Sequence, residues 1–352
     1  MNLLSKINIY RRKVTKKLTN SIGNSGGSFS NIEFIDDFSK IKRVLIVRPN
    51  HRLGNTLLYT PVVLEVIEAF PQASIDLFVK GKVAKIVFKN YTSVNRFIVL
   101  PKKHFKKLHK YLYGWFSLIT KRYDLVINVD VKSSSGKIAT KISNSKYKFY
   151  GSEFEKIIKF NAKQKHFAKL PVYKLRNYLY NSSDKIIENP IKELNLQLSK
   201  NEILSSKEKL NSIVSDTKKE TIGIFTYATG NKCYSEDWWN EMYSKLLIEF
   251  KDYNIVEILP VENISQINFK APTYYSKDIR EIAAFISNTK LFIGADSGMM
   301  HLACATKTAV IGLFSKTPKE KYGPYGKNKF GINTNEVSID STIEIIKKTL
   351  KK

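Results

Sequence analysis

The chain has 352 residues, of which 43% are hydrophobic, so two packed domains of ordinary size are expected. Its formal net charge is +28, which predicts attraction to polyanions such as an anionic membrane surface or a phosphorylated glycolipid. The cationic residues are mostly lysine, whereas base-specific contacts to nucleic acid favour arginine. We therefore expect no specific nucleic-acid partner.

The N-terminal 40 residues read as a basic extension followed by a linker. Residues 1–18 mix apolar and basic side chains and lack the uninterrupted apolar core of a secretory signal. They predict either an amphipathic helix lying on an anionic membrane or an ordinary solvated helix. No apolar segment of the chain is long enough to span a bilayer.

From residue 41 onward, apolar runs typical of buried strands alternate with helical patterns. In the first half, strands are predicted at 43–49, 74–80, 95–100 and 123–129, and helices at 55–70, 82–90 and 104–121. In the second half, strands are predicted at 221–227, 254–259, 291–294 and 309–314, and helices at 237–250, 277–288, 298–306 and 341–350. Such alternation indicates right-handed βαβ units and parallel sheets covered on both faces.

The middle of the chain has weaker strand character. Helical patterns at 167–181 and 200–214 flank a polar stretch that contains proline. We interpret residues 184–215 as the connection between an N-terminal domain, 41–183, and a C-terminal domain, 216–352. The predicted fold class is α/β, with two Rossmann-like doubly wound domains that face each other across a cleft.

The most informative stretch is residues 291–302. An apolar run typical of a buried strand ends abruptly at Asp296, Ser297 and Gly298, and a helical pattern follows at once. Backbone N–H groups at such a helix start lie at the positive end of the helix dipole, which suits a phosphate or pyrophosphate. Asp296 would cap the helix or hold a hydroxyl group, and His301 lies one turn into the helix. A capped buried helix with a half-buried histidine fits the same pattern.

The first predicted strand runs into a polar loop that contains Arg48, His51, Arg52 and Gly54. Two arginines before a glycine at a helix start make an anion-facing loop. The loop is neither a dinucleotide fingerprint nor a P-loop, because the glycine spacing of the first and the Gly-Lys-Ser/Thr of the second are missing.

The fourth predicted strand ends beside Asp130, and Ser133 and Ser134 follow it. The carboxylate lies where a parallel strand opens into the predicted cleft, and the serines offer hydroxyl and backbone donors. The alternative is a solvated turn in which a serine caps the next helix.

Two loops of the second half carry further candidates. Thr229 and Lys232 follow the strand at 221–227 and suit contact with a phosphate, while Glu262 follows the next strand and would hold sugar hydroxyls. A surface lysine and a solvated glutamate are the alternatives. Cys233 and Cys304 lie far apart, so we expect neither a disulfide nor a zinc site, and a reducing compartment fits them. No spacing typical of metal ligands is found.

Together these segments resemble glycosyltransferase family 9, the ADP-heptose:lipopolysaccharide heptosyltransferases, over roughly residues 41–332. The most specific part is 294–303, which is similar to the family's Asp-Thr/Ser-Gly-x-x-His donor motif. The first strand and helix, 44–70, and the Gly-Pro-Tyr-Gly at 323–326 also resemble family segments.

The resemblance implies a GT-B architecture in which the C-terminal domain binds a nucleotide sugar, ADP-linked by analogy, and the N-terminal domain binds the acceptor. Asp296, Ser297, Gly298 and His301 would line the donor site, with Lys232 on the phosphates. Thr229 and Glu262 would lie beside the donor as well. The acceptor side would include residues of the loops after the first and the fourth predicted strand: Arg48, Arg52, Gly54, Ser133 and Ser134. The implied reaction is inverting and metal-independent, with no cofactor besides the nucleotide-sugar co-substrate.

One position departs from the family. The base proposed for the family is an aspartate directly after the glycine of the first loop, and this chain has Asn55 there. An amide is not basic enough to accept the proton. Asp130 or His51 would replace it, or a weak base would suffice, or the protein would bind without catalysing. Asp130, His51 and Asn55 are therefore the catalytic candidates.

Two functions follow as hypotheses. The first is a cytoplasmic glycosyltransferase, peripheral on the inner face of the cytoplasmic membrane, that adds a sugar such as heptose to a lipopolysaccharide core or another lipid-linked glycan. The second is a non-catalytic protein that binds sugar nucleotides or glycans within an envelope assembly complex.

Overall fold

The computed structural model describes residues 32–102, 107–153, 165–181 and 189–351, together with residues 10, 13, 14, 17, 19 and 22. Most of the predicted N-terminal helix and linker lie outside the described residues, and so do the first positions of the helix predicted at 104–121. None of the helices within the described ranges combines the length and the hydropathy that a bilayer crossing requires.

The first domain is built on five parallel strands. These are β1 (Arg43–Arg48), β2 (Ser74–Lys80), β3 (Val94–Leu100), β4 (Arg122–Asn128) and β5 (Asn144–Phe149). The helices of this part of the chain are α1 (Leu53–Leu57), α2 (Thr60–Ala69), α3 (Val83–Val87), α4 (Leu108–Thr120), α5 (Ser134–Ile142) and α6 (Leu170–Tyr180). The strand order is β3-β2-β1-β4-β5. The chain therefore moves outward from β1 in both directions, as in a doubly wound fold.

The second domain contains six parallel strands. These are β6 (Glu220–Phe225), β7 (Tyr253–Ile258), β8 (Thr273–Tyr274), β9 (Leu291–Ala295), β10 (Ala309–Phe314) and β11 (Lys329–Asn333). The remaining helices are α7 (Lys200–Ile213), α8 (Glu236–Glu249), α9 (Ile279–Ile286), α10 (Gly298–Cys304), α11 (Lys319–Tyr322) and α12 (Ile339–Leu350). The strand order is β11-β10-β9-β6-β7-β8. The predicted α/β fold with two Rossmann-like domains is confirmed.

Alternate residues of the strands face different cores, as the period of two in a strand requires. Val44 and Ile46 of β1 belong to a large apolar core that also includes residues of the second domain. Leu45 and Val47 point to the opposite face of the sheet, where they pack with residues of α4 and α5. A third core covers one face of the second sheet. One continuous apolar core therefore joins the two domains.

Three edge strands and two helices were not predicted, namely β5, β8, β11, α5 and α11. In β5 only Tyr147 and Phe149 are buried, and the remaining residues are polar. Such a sequence lacks the apolar run by which the central strands were recognised, because an edge strand is less buried. The strand β5 is therefore defined by its pairing with β4 more than by its own composition.

The single helix predicted at 55–70 is wrong, because the structure has two helices, α1 and α2. Pro61 lies in the first turn of α2 and has no N–H to donate to the carbonyl of Leu57. The hydroxyl of Thr60 donates to that carbonyl instead, at 2.8 Å. The chain therefore breaks between α1 and α2 without leaving the carbonyl of Leu57 unpaired.

The connection between the domains packs against both of them. The buried guanidinium of Arg280 in α9 donates to the backbone carbonyls of Ile86 and Leu196, and it pairs with Glu202 at 2.6 Å. Hydrogen bonds from Arg280 hold the pKa of Glu202 down, at about 2. A charged side chain with this many partners fixes the second domain to the first near α3.

Candidate functional site

The carboxyl ends of β1 and β4 are neighbours in the first sheet, and they bring two predicted residues together. Arg48 at the end of β1 forms an ion pair with Asp130, which follows β4. The other carboxylate oxygen of Asp130 accepts the backbone N–H of Lys132 at 3.1 Å. Both oxygens of this carboxylate are therefore engaged, and its orientation is fixed from two sides.

A cavity of about 810 Å³ opens at this edge, and Arg48, Asn55 and Asp130 all line it. Asp130 supplies the one carboxylate among the described residues of its wall. Apart from Asn55, Tyr59, Asn128 and Gly151, the rest of the wall is cationic and apolar. The basic residues that line it are Arg48, Lys132, Lys165, Lys174 and Lys321. The apolar ones are Leu58, Val62, Ile127, Val129, Val131, Phe149, Phe167, Leu170 and Pro171. A cavity of this size and lining fits a ligand with both anionic and apolar parts.

Several wall residues come from segments far apart in sequence. The ring of Phe167 stacks on that of Tyr322 at 4.6 Å, and the backbone N–H of Phe167 donates to the carbonyl of Lys321. These contacts bring Lys321 of the second domain to a cavity of the first. The phenol of Tyr59 also lies in the wall, with its hydroxyl buried and without a hydrogen-bond partner among the described residues. A ligand hydroxyl or anion would satisfy it.

At the carboxyl edge of the second sheet, Asp296 follows β9 and is almost completely buried. Nζ of Lys232 lies 2.6 Å from Oδ2 of Asp296, and the hydroxyl of Thr317 donates to the same oxygen at 2.5 Å. Lys232 comes from the loop after β6, and Thr317 from the loop after β10. Three neighbouring strands therefore deliver one polar cluster.

Ser297 caps α10 by accepting the backbone N–H of Met300 at 3.3 Å. Ser297, Gly298 and Met299 are half-buried, so the start of this helix is partly accessible. The side chain of Leu53 in α1 lies close by, because a β-carbon placed on Gly298 would be 3.4 Å from that of Leu53. The amino end of α10 therefore meets the first domain.

His301 lies deeper in the same contact. A β-carbon on Gly54 would lie 2.8 Å from Cδ2 of His301, so the glycine is required for this close approach. The ring is buried, and burial lowers the pKa of His301 to about 4. Nδ1 has no hydrogen-bond partner among the described residues. His301 is therefore neutral at pH 7, and it packs between the domains without supplying a charge to an anion.

Other predicted residues lie outside the two clusters. Ser133 caps α5 by accepting a hydrogen bond from the backbone N–H of Gly136. The hydroxyl of Ser134 accepts a hydrogen bond from the hydroxyl of Thr19. His51 does not line the cavity; partial burial, followed by the charges of Lys80 and Lys102, lowers its pKa.

The last three candidates are exposed loop residues. Arg52 donates its backbone N–H to the side chain of Asn50, at the start of α1. Thr229 precedes the 3-10 turn that carries Lys232, and Glu262 follows β7. No contact in the described ranges joins them to Asp130 or Asp296, although Thr229 is near Lys232 in sequence.

The described ranges contain no group of three His, Cys, Asp or Glu side chains arranged to hold a metal ion. Residues that the sequence did not single out include Tyr59, Thr317, Lys165, Lys174 and Lys321.

Part of the chain matches one protein family model, and most of the chain is similar in fold to solved structures. Residues 275–348 match the family model described as glycosyltransferase family 9 (heptosyltransferase). This range contains Asp296, Ser297, Gly298, His301 and Thr317. No curated protein matches the chain.

Among solved structures, the chain is similar to a glycosyl transferase family 9 protein from Veillonella parvula DSM 2008, with 17% identity, a TM-score of 0.70, and coverage of 89% of this chain and 98% of that one. It is also similar to the E. coli heptosyltransferase WaaC with ADP, at 18% identity, a TM-score of 0.62, and coverage of 87% and 99%. The E. coli ADP-heptose lps heptosyltransferase II gives 14% identity, a TM-score of 0.63, and coverage of 88% and 98%. At these identities the likeness establishes the two-domain fold.

Proposed function

We propose that this chain is a glycosyltransferase of family 9, and that it transfers a sugar, with heptose as the candidate, from an ADP-linked donor to a lipopolysaccharide core or a related surface glycan. The observation that carries the proposal is that the matched segment contains Asp296, Ser297, Gly298 and His301, and that Lys232 contacts Asp296 there. The solved heptosyltransferase bound to ADP has the same two-domain fold.

We propose that the donor diphosphate lies beside Lys232 and the start of α10. This helix has only seven residues, so its dipole is short, and Lys232 would carry most of the charge stabilisation. Asp296 would keep one contact to Lys232 and hold a donor hydroxyl with its remaining oxygen. Thr317, which already donates to Asp296, would fix that carboxylate in place.

We propose that the acceptor enters the 810 Å³ cavity and that Asp130 is the general base. The acceptor hydroxyl would displace Arg48 or Lys132 from one oxygen of Asp130 and give its proton to that oxygen. The hydroxyl oxygen then forms a bond to the anomeric carbon while the bond from that carbon to the diphosphate breaks. The electron pair leaves with the diphosphate, where Lys232 stabilises it, so that neither step is routed through a metal ion.

We further propose that the enzyme works in the cytoplasm, on the inner face of the cytoplasmic membrane, where a lipid-linked acceptor would be presented. The net charge of +28 supports attraction to an anionic leaflet.

The test is to measure thermal shifts with ADP-, GDP- and UDP-linked sugars and then to assay transfer with the donor that binds. A ligand that binds only the folded protein raises the melting temperature. We expect a shift with an ADP-sugar and formation of ADP that depends on added lipopolysaccharide core acceptor. Binding without any transfer or donor hydrolysis would contradict a catalytic role.

A further inference from the structure

Helix α4 has two apolar faces, although it packs on only one. Its inner face rests on the first sheet through Trp115, whose ring contacts that of Phe78 at 5.3 Å, and through the buried Leu118. Gly114 allows close contact, since a β-carbon there would lie 2.9 Å from Cδ2 of Leu100. The inner face is therefore sufficient to hold the helix in the fold.

The outer face carries five large hydrophobic side chains that the fold leaves exposed. Their exposed fractions are 53% for Leu108, 57% for Leu112, 72% for Tyr113, 60% for Phe116 and 51% for Ile119. Four of them, at spacings of four, four and three residues, form one stripe along the helix. The described residues contain 16 exposed large hydrophobics, so nearly a third of them lie on this helix. Such a concentration marks an interaction surface.

The charge around this stripe has one sign. Residues 101–122 contain seven Lys and Arg and neither Asp nor Glu. Of these, Lys102, Lys107, Lys110, Lys121 and Arg122 are described and exposed. A surface that combines apolar and aromatic side chains with lysines complements the interface of an anionic bilayer, where the hydrophobic groups enter the acyl region and the lysines contact phosphate groups.

The second domain offers a contrast. Leu247 and Ile248 of α8 are also exposed, but this helix carries four carboxylates and one lysine, namely Glu236, Asp237, Glu241, Glu249 and Lys245. The net negative charge of this helix would be repelled by an anionic membrane. Exposed hydrophobics alone therefore do not distinguish α4, whereas their combination with lysines does.

We infer that the outer face of α4 is a membrane-docking surface that binds anionic phospholipid. The residues that enter the bilayer are Leu108, Leu112, Tyr113, Phe116 and Ile119, and the flanking lysines contact the lipid phosphates. This inference deepens the proposed peripheral location by naming the surface responsible.

The position of α4 suits such a role. A helix that follows a parallel strand begins at the carboxyl edge of the sheet. Leu108 therefore lies toward the edge at which Asp130 and the 810 Å³ cavity are found. Docking through α4 would bring this edge close to the lipid surface, within reach of a lipid-linked acceptor.

The test is co-sedimentation of the full chain with vesicles of phosphatidylcholine alone and of phosphatidylcholine with 30% phosphatidylglycerol, a content set at roughly that of an anionic leaflet. We expect binding to the anionic vesicles that falls as salt increases. Leu112→Asp/Phe116→Asp changes two exposed positions and should lower the partition coefficient at least about tenfold. Lys107→Glu/Lys110→Glu should abolish the preference for anionic vesicles.

The matched control is Leu204→Asp/Ile248→Asp, which places the same charges at exposed hydrophobic positions of the connection and of the second domain. It should bind vesicles as the unchanged protein does, and melting curves should show all variants folded. Equal binding by Leu112→Asp/Phe116→Asp and the unchanged protein would overturn the inference. The inference would also be overturned if the unchanged protein formed a dimer that did not bind vesicles and if this variant dissociated that dimer. The outer face of α4 would then bind a second copy of the chain. Donor hydrolysis without vesicles, measured in parallel, reports on the transferase separately, so either proposal can fail alone.

Discussion

The carboxyl edges of the two sheets carry the same small arrangement in different surroundings. In each, an aspartate follows a strand, pairs with a cation from a neighbouring strand or its loop, and precedes a serine that caps the next helix. Asp130 pairs with Arg48 at the end of β1, and Asp296 pairs with Lys232 in the loop after β6. The first pair lines a cavity of about 810 Å³ with an apolar and lysine-rich wall. The second is closed in by Thr317 and by the packing of α10 on α1.

The difference shows that an aspartate–cation pair does not by itself define a role. An open apolar cavity accommodates a bulky acceptor, whereas a tight polar cluster beside backbone N–H groups accommodates a compact anion. This difference supports the proposal that proton transfer takes place at the first edge and charge stabilisation at the second. Substitution of Asp130 at the first edge should therefore lower kcat and leave donor affinity unchanged. Substitution of Lys232 at the second edge should lower donor affinity.

The largest effect is expected for Asp130→Asn. The amide cannot accept a proton, so kcat for sugar transfer should fall about 10²- to 10⁴-fold. Donor affinity, measured by calorimetry, should stay within about twofold, because Asp130 lies in the other domain from Lys232. Transfer at the unchanged rate would exclude Asp130 as the general base and would contradict the different roles proposed for the two sheet edges.

Lys232→Ala should weaken donor binding, since it removes a charge-assisted contact to the diphosphate. A hydrogen bond to a charged group contributes about 1.5–3 kcal/mol, which corresponds to about 10- to 100-fold in Kd. The companion variant is Lys321→Ala, which removes an exposed lysine from the wall of the cavity beside Asp130. It should raise KM for the acceptor and leave donor affinity unchanged. If both variants lost the same affinity for ADP, the donor and the acceptor would not bind at separate sheet edges.

The interface between the edges can be tested with Gly54→Ala. The added β-carbon would lie 2.8 Å from Cδ2 of the buried His301, so one of the two helices must shift. Overpacking of this kind costs about 1–3 kcal/mol, and the melting temperature should fall accordingly. Gly298→Ala adds a methyl group at an ordinary distance of 3.4 Å from Leu53 and should cost less. Equal stability of both variants and the unchanged protein would show that α1 and α10 do not pack as described.

The smallest effect is expected for Asn55→Asp, which restores the residue that the family resemblance implies. If Asp130 is the base, a second carboxylate in the same cavity adds no proton acceptor that the reaction needs. The rate of transfer should then change by no more than about twofold. A large gain in rate would instead assign the base to position 55.

Much of this fold was predictable because its central strands are long apolar runs. Arg48 and Asp130 were each predicted to lie where a strand ends, but their pairing depends on the adjacency of β1 and β4, which the structure shows. The approach of Lys232 to Asp296 followed only from the family resemblance, since 64 residues separate them. Strand order, which single-sequence patterns do not encode, brings them together.

Other features depend on packing that the sequence pattern does not report. The cavity wall takes Lys321 from the second domain, and this position is set by the stacking of Phe167 on Tyr322. The burial of His301 likewise depends on α1, which belongs to the other domain. Such contacts join segments more than a hundred residues apart, so periodicity within a window carries no signal for them.

The central claim is that the donor diphosphate lies between Lys232 and the start of α10, and a crystal structure of the protein with ADP tests it most directly. We expect phosphate oxygens within hydrogen-bonding distance of Nζ of Lys232 and of the backbone N–H groups of Ser297 and Gly298. ADP bound in the cavity beside Asp130, or a start of α10 still covered by Leu53 with the phosphates elsewhere, would contradict it.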